Sequence, residues 1–138
     1  MKHAREGNHL ILKLDSGEEI IQTIEKVLLS ENIKNGYILS GLGAGTGIEI
    51  GSLVGKTYVK ETLNERHEII SFNGSITEGS PRMHIHITLA GEDHIARGGH
   101  LFSGKADPLM EIAIVILDKI KMTRKLEEHS GMNELTFV

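Results

Sequence analysis

The chain has no cysteine and no tryptophan, and only two tyrosines and three phenylalanines. Without cysteine there is neither a disulfide framework nor a thiolate metal site, so any zinc would have to be held by His, Asp or Glu. So few aromatic rings leave little on which single-stranded bases could stack. Long hydrophobic runs are missing too. The opening MKHAREGNHLILKLDSGEE lacks the apolar stretch of a signal peptide. The longest aliphatic stretch, in MEIAIVILDKI, is too short to span a bilayer and is bounded by Glu111 and Asp118. These absences point to a cytoplasmic protein. Nor is there an excess of positive charge. Fifteen Lys and Arg stand against nineteen Asp and Glu, for a net charge of −4 with His neutral. That argues mildly against broad contact with nucleic acid or an anionic membrane. What remains is ordinary: 138 residues, 39 % hydrophobic and 25 % charged. This is the length of a single domain spanning 1–138, large enough to bury a core without staples.

Periodicity organises the chain. HLILKL (9–14) is short and aliphatic and reads as a strand. Ile20, Ile21, Ile24, Val27 and Leu28 then recur at helical spacing. They predict one long amphipathic helix over roughly 18–31, capped by Ser16 with Glu19, or by Asp15, and ended by Asn32 and the Asn35-Gly36 pair. The segment 37–55 reads as two short strands around a loop. Further strands are expected at 56–63, 67–76, 83–90 and 95–104, and a central strand covered on both faces at 110–117. The tail ends in one more short strand. One helix against many antiparallel strands predicts an α+β domain with a mainly antiparallel β-sheet. A single helix leaves sheet uncovered, and oligomerisation is the simplest cover.

Two glycine-rich stretches imitate nucleotide sites. In GLGAGTG (41–47) the glycines fit no frame of G-x-G-x-x-G, and no helical pattern follows. GSLVGKT (51–57) is one residue short of a P-loop, and Tyr58 and Val59 continue a strand where a helix is needed. Close approach of neighbouring backbone is the simpler reason for these glycines.

The histidines are more informative. PRMHIHITLAGEDHIARGGH (81–100) carries four of the chain's eight. In a strand, Met83, Ile85, Ile87 and Leu89 point to one face, and His84, His86 and Thr88 to the other. If a hairpin pairs His86 with His100, it also pairs Ala90 with Ala96, leaves a five-residue loop, and brings three imidazoles to one face. Three His ligands with a free fourth position make a catalytic or exchangeable zinc site, although nickel, copper or iron(II) would also suit imidazole. A solvent-facing strand with incidental histidines is the plainer alternative, but the third histidine at hairpin distance weighs against it. His94 falls in the turn, and His3, His9, His67 and His129 have no partner pattern.

HIHITLAGEDHIARGGHLFSG, together with the upstream YILSGLGA and HEIISFNGSI, resembles the PPC (plants and prokaryotes conserved) domain, and the likeness runs from the first strand to MEIAIVIL. The resemblance implies an α+β fold with a mainly antiparallel sheet, and a homotrimer in stand-alone members, many of which carry a DNA-binding label. Its His-x-His and Gly-Gly-His positions fall on His84, His86 and His100, which bind zinc near the subunit boundary in some members. The fold it implies is also similar to that of α-acetolactate decarboxylase, which has a three-His zinc centre. The chain departs from the plant proteins in lacking the Arg-Gly-Arg-Pro hook that grips the minor groove.

Two roles follow. The first, implied by the resemblance, is DNA-associated regulation, for which the basic stretch DKIKMTRK supplies Lys119, Lys121, Arg124 and Lys125, residues that a solvated surface would equally contain. The alternative is a zinc-dependent enzyme or binder of a small carbonyl or carboxylate compound. Its acid or base would be Glu111 or Glu68, with Glu111 conspicuous in an apolar strand. Arg82 and Arg97 would hold the substrate, or merely pair with Glu92 or Asp93.

Overall fold

A computed structural model describes residues 1–138, and in it the period-2 alternation of apolar residues dominates. β1 (Lys2–Glu6) and β2 (His9–Asp15) form a hairpin, followed by α1 (Ile20–Ser30). Then come β3 (Gly36–Val54), β4 (Thr57–Leu63), β5 (His67–Ile76), β6 (Met83–Ala90) and β7 (Ala96–Ile116). β8 (Met122–Glu127) and β9 (Met132–Phe137) make a separate two-stranded sheet. The large sheet runs β1-β2-β7-β6-β5-β3-β4, and β3 pairs additionally with β7. That extra pairing closes β7, β6, β5 and β3 into a ring, which removes the edges such strands would otherwise expose.

The core follows the alternation. Leu10, Leu12 and Leu14 of β2, Ile85, Ile87 and Leu89 of β6, and Met110, Ile112, Ile114 and Ile116 of β7 are buried with Phe72. Ile20, Ile24, Val27 and Leu28 of α1 pack against the same core.

The long helix is the main correction. α1 has 11 residues, and strands make up 65 % of the chain, so the fold is β-rich with one short helix rather than α+β with a long one. The reason lies at its start. Glu19 is still extended and bridges to Lys105, and Gly17 has φ of +85°, so the chain cannot coil before Ile20. The cap is Glu19 itself, whose carboxylate accepts from the Gln22 backbone N–H at 2.7 Å, rather than Ser16 or Asp15. The end is as expected. Asn32 takes φ of +53°, and the N–H groups of Asn32 and Ile33 bond back to Leu29 and Leu28 at 3.1 and 2.8 Å, closing a Schellman turn.

Two pairs of expected strands are each one strand. Segment 37–55 is the continuous β3, and segments 95–104 and 110–117 are both part of β7. Register shifts along the β3–β7 ladder let these long strands bend. The glycines of 41–47 serve that crossing. A Cβ on Gly43 would lie 2.3 Å from the Leu109 carbonyl oxygen, and its φ of +124° suits glycine alone. Gly55 sits in the tight β3–β4 turn. β7 is central but not doubly covered within the chain, because Glu111 is exposed on its outer face. β1 and β8 were not expected, whereas β9 is the short strand expected at the end of the tail. No helix is long and apolar enough to cross a membrane.

Candidate metal centre

β6 and β7 form the hairpin that the histidine spacing predicts. His86 stands opposite His100, and Ala90 opposite Ala96. Because Ile85, Ile87 and Leu101 are drawn into the core, His84, His86 and His100 are left together on the outer face. One ligand nitrogen from each lies within 4.8 Å of the others. The His84 and His86 rings are 4.9 Å apart, and His84 and His100 rings 5.0 Å.

The donors fit a metal ion. The Nε2 atoms of His84 and His86 are 3.1 Å apart. Two nitrogens at tetrahedral angles on one zinc, each about 2.0–2.1 Å from it, would be separated by about 3.3 Å. His100 Nδ1 is buried without a hydrogen-bond partner, an orphan that protein interiors seldom tolerate. Burial first, and then the neighbouring imidazoles, Arg124 and Lys60, push the His100 pKa down to about 4. His84 is lowered for similar reasons, by burial, His86 and Arg124. Both rings are therefore neutral at neutral pH, the form that donates to metals.

Around the triad the sheet sets two rows. Tyr37, Ser75 and His84 align across β3, β5 and β6. Asn73, His86 and His100 align across β5, β6 and β7. An open cleft of about 350 Å³ is lined by Tyr37, Asn73, Ser75, His84 and His86 together with Ile38 and Gly74. No carboxylate is among them. On the far side, Phe102 and Tyr58 pack on the His100 ring at 4.7 and 5.2 Å. Lys60 lies 3.8 Å over Phe102 and is ion-paired with Glu49 at 3.4 Å.

The other sequence candidates lie elsewhere. Glu68 shares the outer face but pairs with Ala90, four residues and about 13 Å of strand from His86. Glu111 pairs with Lys13 and Leu42, at about 35 Å of strand path from His100. It is solvent-exposed, so the burial cost that drew attention to it does not arise. Arg97 is tied to Asp93 at 2.7 Å, and Arg82 donates to the Ile33 carbonyl. Lys119, Lys121 and Lys125 are exposed. Arg124, their neighbour, instead turns in toward the cleft. Its Nε donates to the Pro81 carbonyl at 2.9 Å and its Nη2 to Ser75 Oγ at 2.8 Å. Tyr37, Ser75, Asn73 and Arg124 thus join the triad without having been singled out for it. Only the β3–β5–β6 register and the docking of the tail reveal them.

Comparison with known proteins agrees with this architecture. The Plants and Prokaryotes Conserved (PCC) domain profile matches residues 1–118. No curated protein matches the chain. Among solved structures, a metal-containing protein from Archaeoglobus fulgidus is 29 % identical, covering 99 % of each chain at a TM-score of 0.86. A plant- and prokaryote-conserved protein from Pyrococcus horikoshii is 26 % identical, over 96 % of this chain and 93 % of that one, at 0.83. A provisionally named DNA-binding protein from Bacteroides thetaiotaomicron is 25 % identical, over 99 % and 96 %, at 0.87.

Proposed function

The chain belongs to the Plants and Prokaryotes Conserved domain family, and from that premise we propose that it is a homotrimeric metal-binding protein. Its working part is the outer-face triad His84, His86 and His100, holding zinc and receiving a small-molecule ligand. One observation carries this reading: three imidazoles converge within 4.8 Å with no competing carboxylate. The metal-containing relative from Archaeoglobus fulgidus supports it. A bound zinc would supply Lewis acidity for a carbonyl or carboxylate compound. The chain itself supplies the three ligands, the open cleft and the rings of Tyr58 and Phe102 that steady His100. It brings neither Glu68 nor Glu111 within reach as a proton carrier, so binding is better supported than hydrolysis.

The trimer rests on the resemblance and on exposed apolar side chains. Ile11, Leu39 and Leu42 remain more than half exposed on the outer face of β2 and β3, where a further copy would cover them. Sedimentation equilibrium should give three times the 15.2 kDa chain mass; a stable monomer at micromolar concentration would contradict assembly.

A DNA-associated role is the second reading, favoured by the Bacteroides thetaiotaomicron relative's name and by exposed Lys119, Lys121 and Lys125 beside Arg124. The two readings separate in one experiment. Chelator-stripped protein is titrated with zinc, then with duplex DNA, at low and high salt. Metal uptake of one ion per chain that withstands salt supports the triad. Binding of duplex that weakens steeply with salt, and is lost when the three lysines are neutralised, supports the DNA role. Protein that takes up no zinc at either salt has no metal function.

A further inference from the structure

We infer that the ligand of the three-imidazole site is a small carboxylate anion, gripped on the β5 side by Arg124 with Ser75 and Tyr37. This inference rests on the metal-binding reading and gives it a ligand class.

The argument begins with charge. A half-buried guanidinium is costly unless an anion faces it. Arg5, Arg66 and Arg97 each have a carboxylate within ion-pair distance, namely Glu31, Asp107 and Asp93. Arg124 has none. Its two hydrogen bonds go to neutral oxygens, the Pro81 carbonyl and Ser75 Oγ. A guanidinium carries five N–H donors in a rigid fork, so three are left over, including both on Nη1.

Position completes it. Ser75 stands directly opposite His84 on one side and Tyr37 on the other. Opposed side chains in a sheet lie about 4.5–5.5 Å apart at Cβ. The guanidinium that touches Ser75 is therefore next to the imidazoles, across an open cleft. The cleft is lined by the polar side chains of Asn73, Ser75 and Tyr37 and by no Asp or Glu, and Arg124 stands behind Ser75 at its rim. A divalent ion added to this wall makes it more positive still. A neutral ligand would leave that charge unmet. A planar carboxylate meets it, because the fork matches two carboxylate oxygens.

The two bonds that Arg124 already makes are also what holds it there. They fix the guanidinium against β5 and the loop before β6, so little side-chain freedom is lost when an anion arrives. The tail hairpin β8–β9 delivers this one residue to a site otherwise built from β3, β5, β6 and β7. That gives the hairpin a role in ligand binding as well as in packing.

The test uses cobalt(II) in place of zinc, since its visible absorption reports the ligands around it. Cobalt-loaded wild-type protein is titrated with pyruvate and with the isosteric neutral pyruvamide. The expected result is a saturable spectral change with pyruvate and a much weaker one with pyruvamide. Arg124→Gln should bind cobalt as the wild type does but lose affinity for pyruvate by about 10-fold or more, the loss expected for a charge-assisted hydrogen bond. Arg124→Lys should recover part of it. Lys125→Gln, the same charge change one residue away on an exposed side chain, should behave as wild type. Unchanged cobalt binding in Arg124→Gln also shows that the fold has survived. Equal pyruvate affinity in Arg124→Gln and wild type would overturn the role of Arg124. Equal binding of pyruvamide and pyruvate would overturn the anion class. Failure of the wild type to bind cobalt at all would overturn the metal reading beneath both.

Discussion

Replacing His86 with alanine should lower zinc affinity by about 100-fold or more while leaving the fold intact. The loss follows from donor count. A structural zinc bound by four ligands gains about 10–16 kcal/mol, so one ligand is worth about 2.5–4 kcal/mol. The two imidazoles that remain, His84 and His100, make a site that water competes with easily. Stability should change little, because His86 is exposed on the outer face and surface substitutions usually stay within about 0.5 kcal/mol. His94→Ala is the control. His94 lies in the β6–β7 turn at φ of +57°, outside the cluster, and its removal should leave zinc affinity unchanged. Competition with a chromophoric chelator measures both. Equal affinity in His86→Ala and wild type would mean that zinc binds elsewhere.

Replacing Phe72 with alanine should do the opposite. Phe72 is 1 % exposed, pairs with Ile87 across β5 and β6, and fills the space that Gly41 leaves. A Cβ on Gly41 would come within 2.8 Å of the Phe72 ring, so the two residues are complementary. Removing the ring opens a cavity that closely packed strands cannot collapse into, at a cost of about 3–5 kcal/mol. For a chain of this size that lowers Tm by roughly 10–15 °C. Metal-free protein at fixed concentration is the proper sample, because both zinc and subunit association would mask the loss. Zinc affinity of the protein still folded at 20 °C should hold, since His84 and His86 face away from the core that Phe72 occupies. A Tm change under 3 °C would show that the Phe72 side chain is not what fills this part of the core.

The contrast between these two residues shows what could be read from the chain beforehand. Ile85 and Ile87 alternate with His84 and His86, and strand period alone assigns them to opposite faces. The loop between Ala90 and Ala96 has a length that hairpins favour, so His100 could be placed opposite His86 without knowing the rest of the fold. Both inferences are local. Arg124 could not be found that way. It reaches Ser75 only because β8 and β9 fold back on β5, a contact across 49 positions. In the sequence it looks like one cation among four in DKIKMTRK. Glu111 was misread for a related reason. MEIAIVIL is apolar on both alternating sets, and the chain alone does not tell that the Glu111, Ala113 and Val115 set faces outward within the subunit. The helix was overextended at its start because Ser16 and Asp15 look like caps in the sequence, whereas the boundary is decided by the Glu19–Lys105 bridge and Gly17. Continuity of β3 and β7 was hidden by glycines that read as breaks but serve as bends and crossings.

The account stands on the claim that His84, His86 and His100 hold one metal ion together. Zinc-soaked crystals, with diffraction collected above and below the zinc absorption edge, test it most directly. The prediction is one anomalous peak per chain on the outer face between β6 and β7, with a nitrogen from each of the three rings about 2.0–2.1 Å away. A peak at other residues, or the three imidazoles turned apart with no zinc between them, would contradict it.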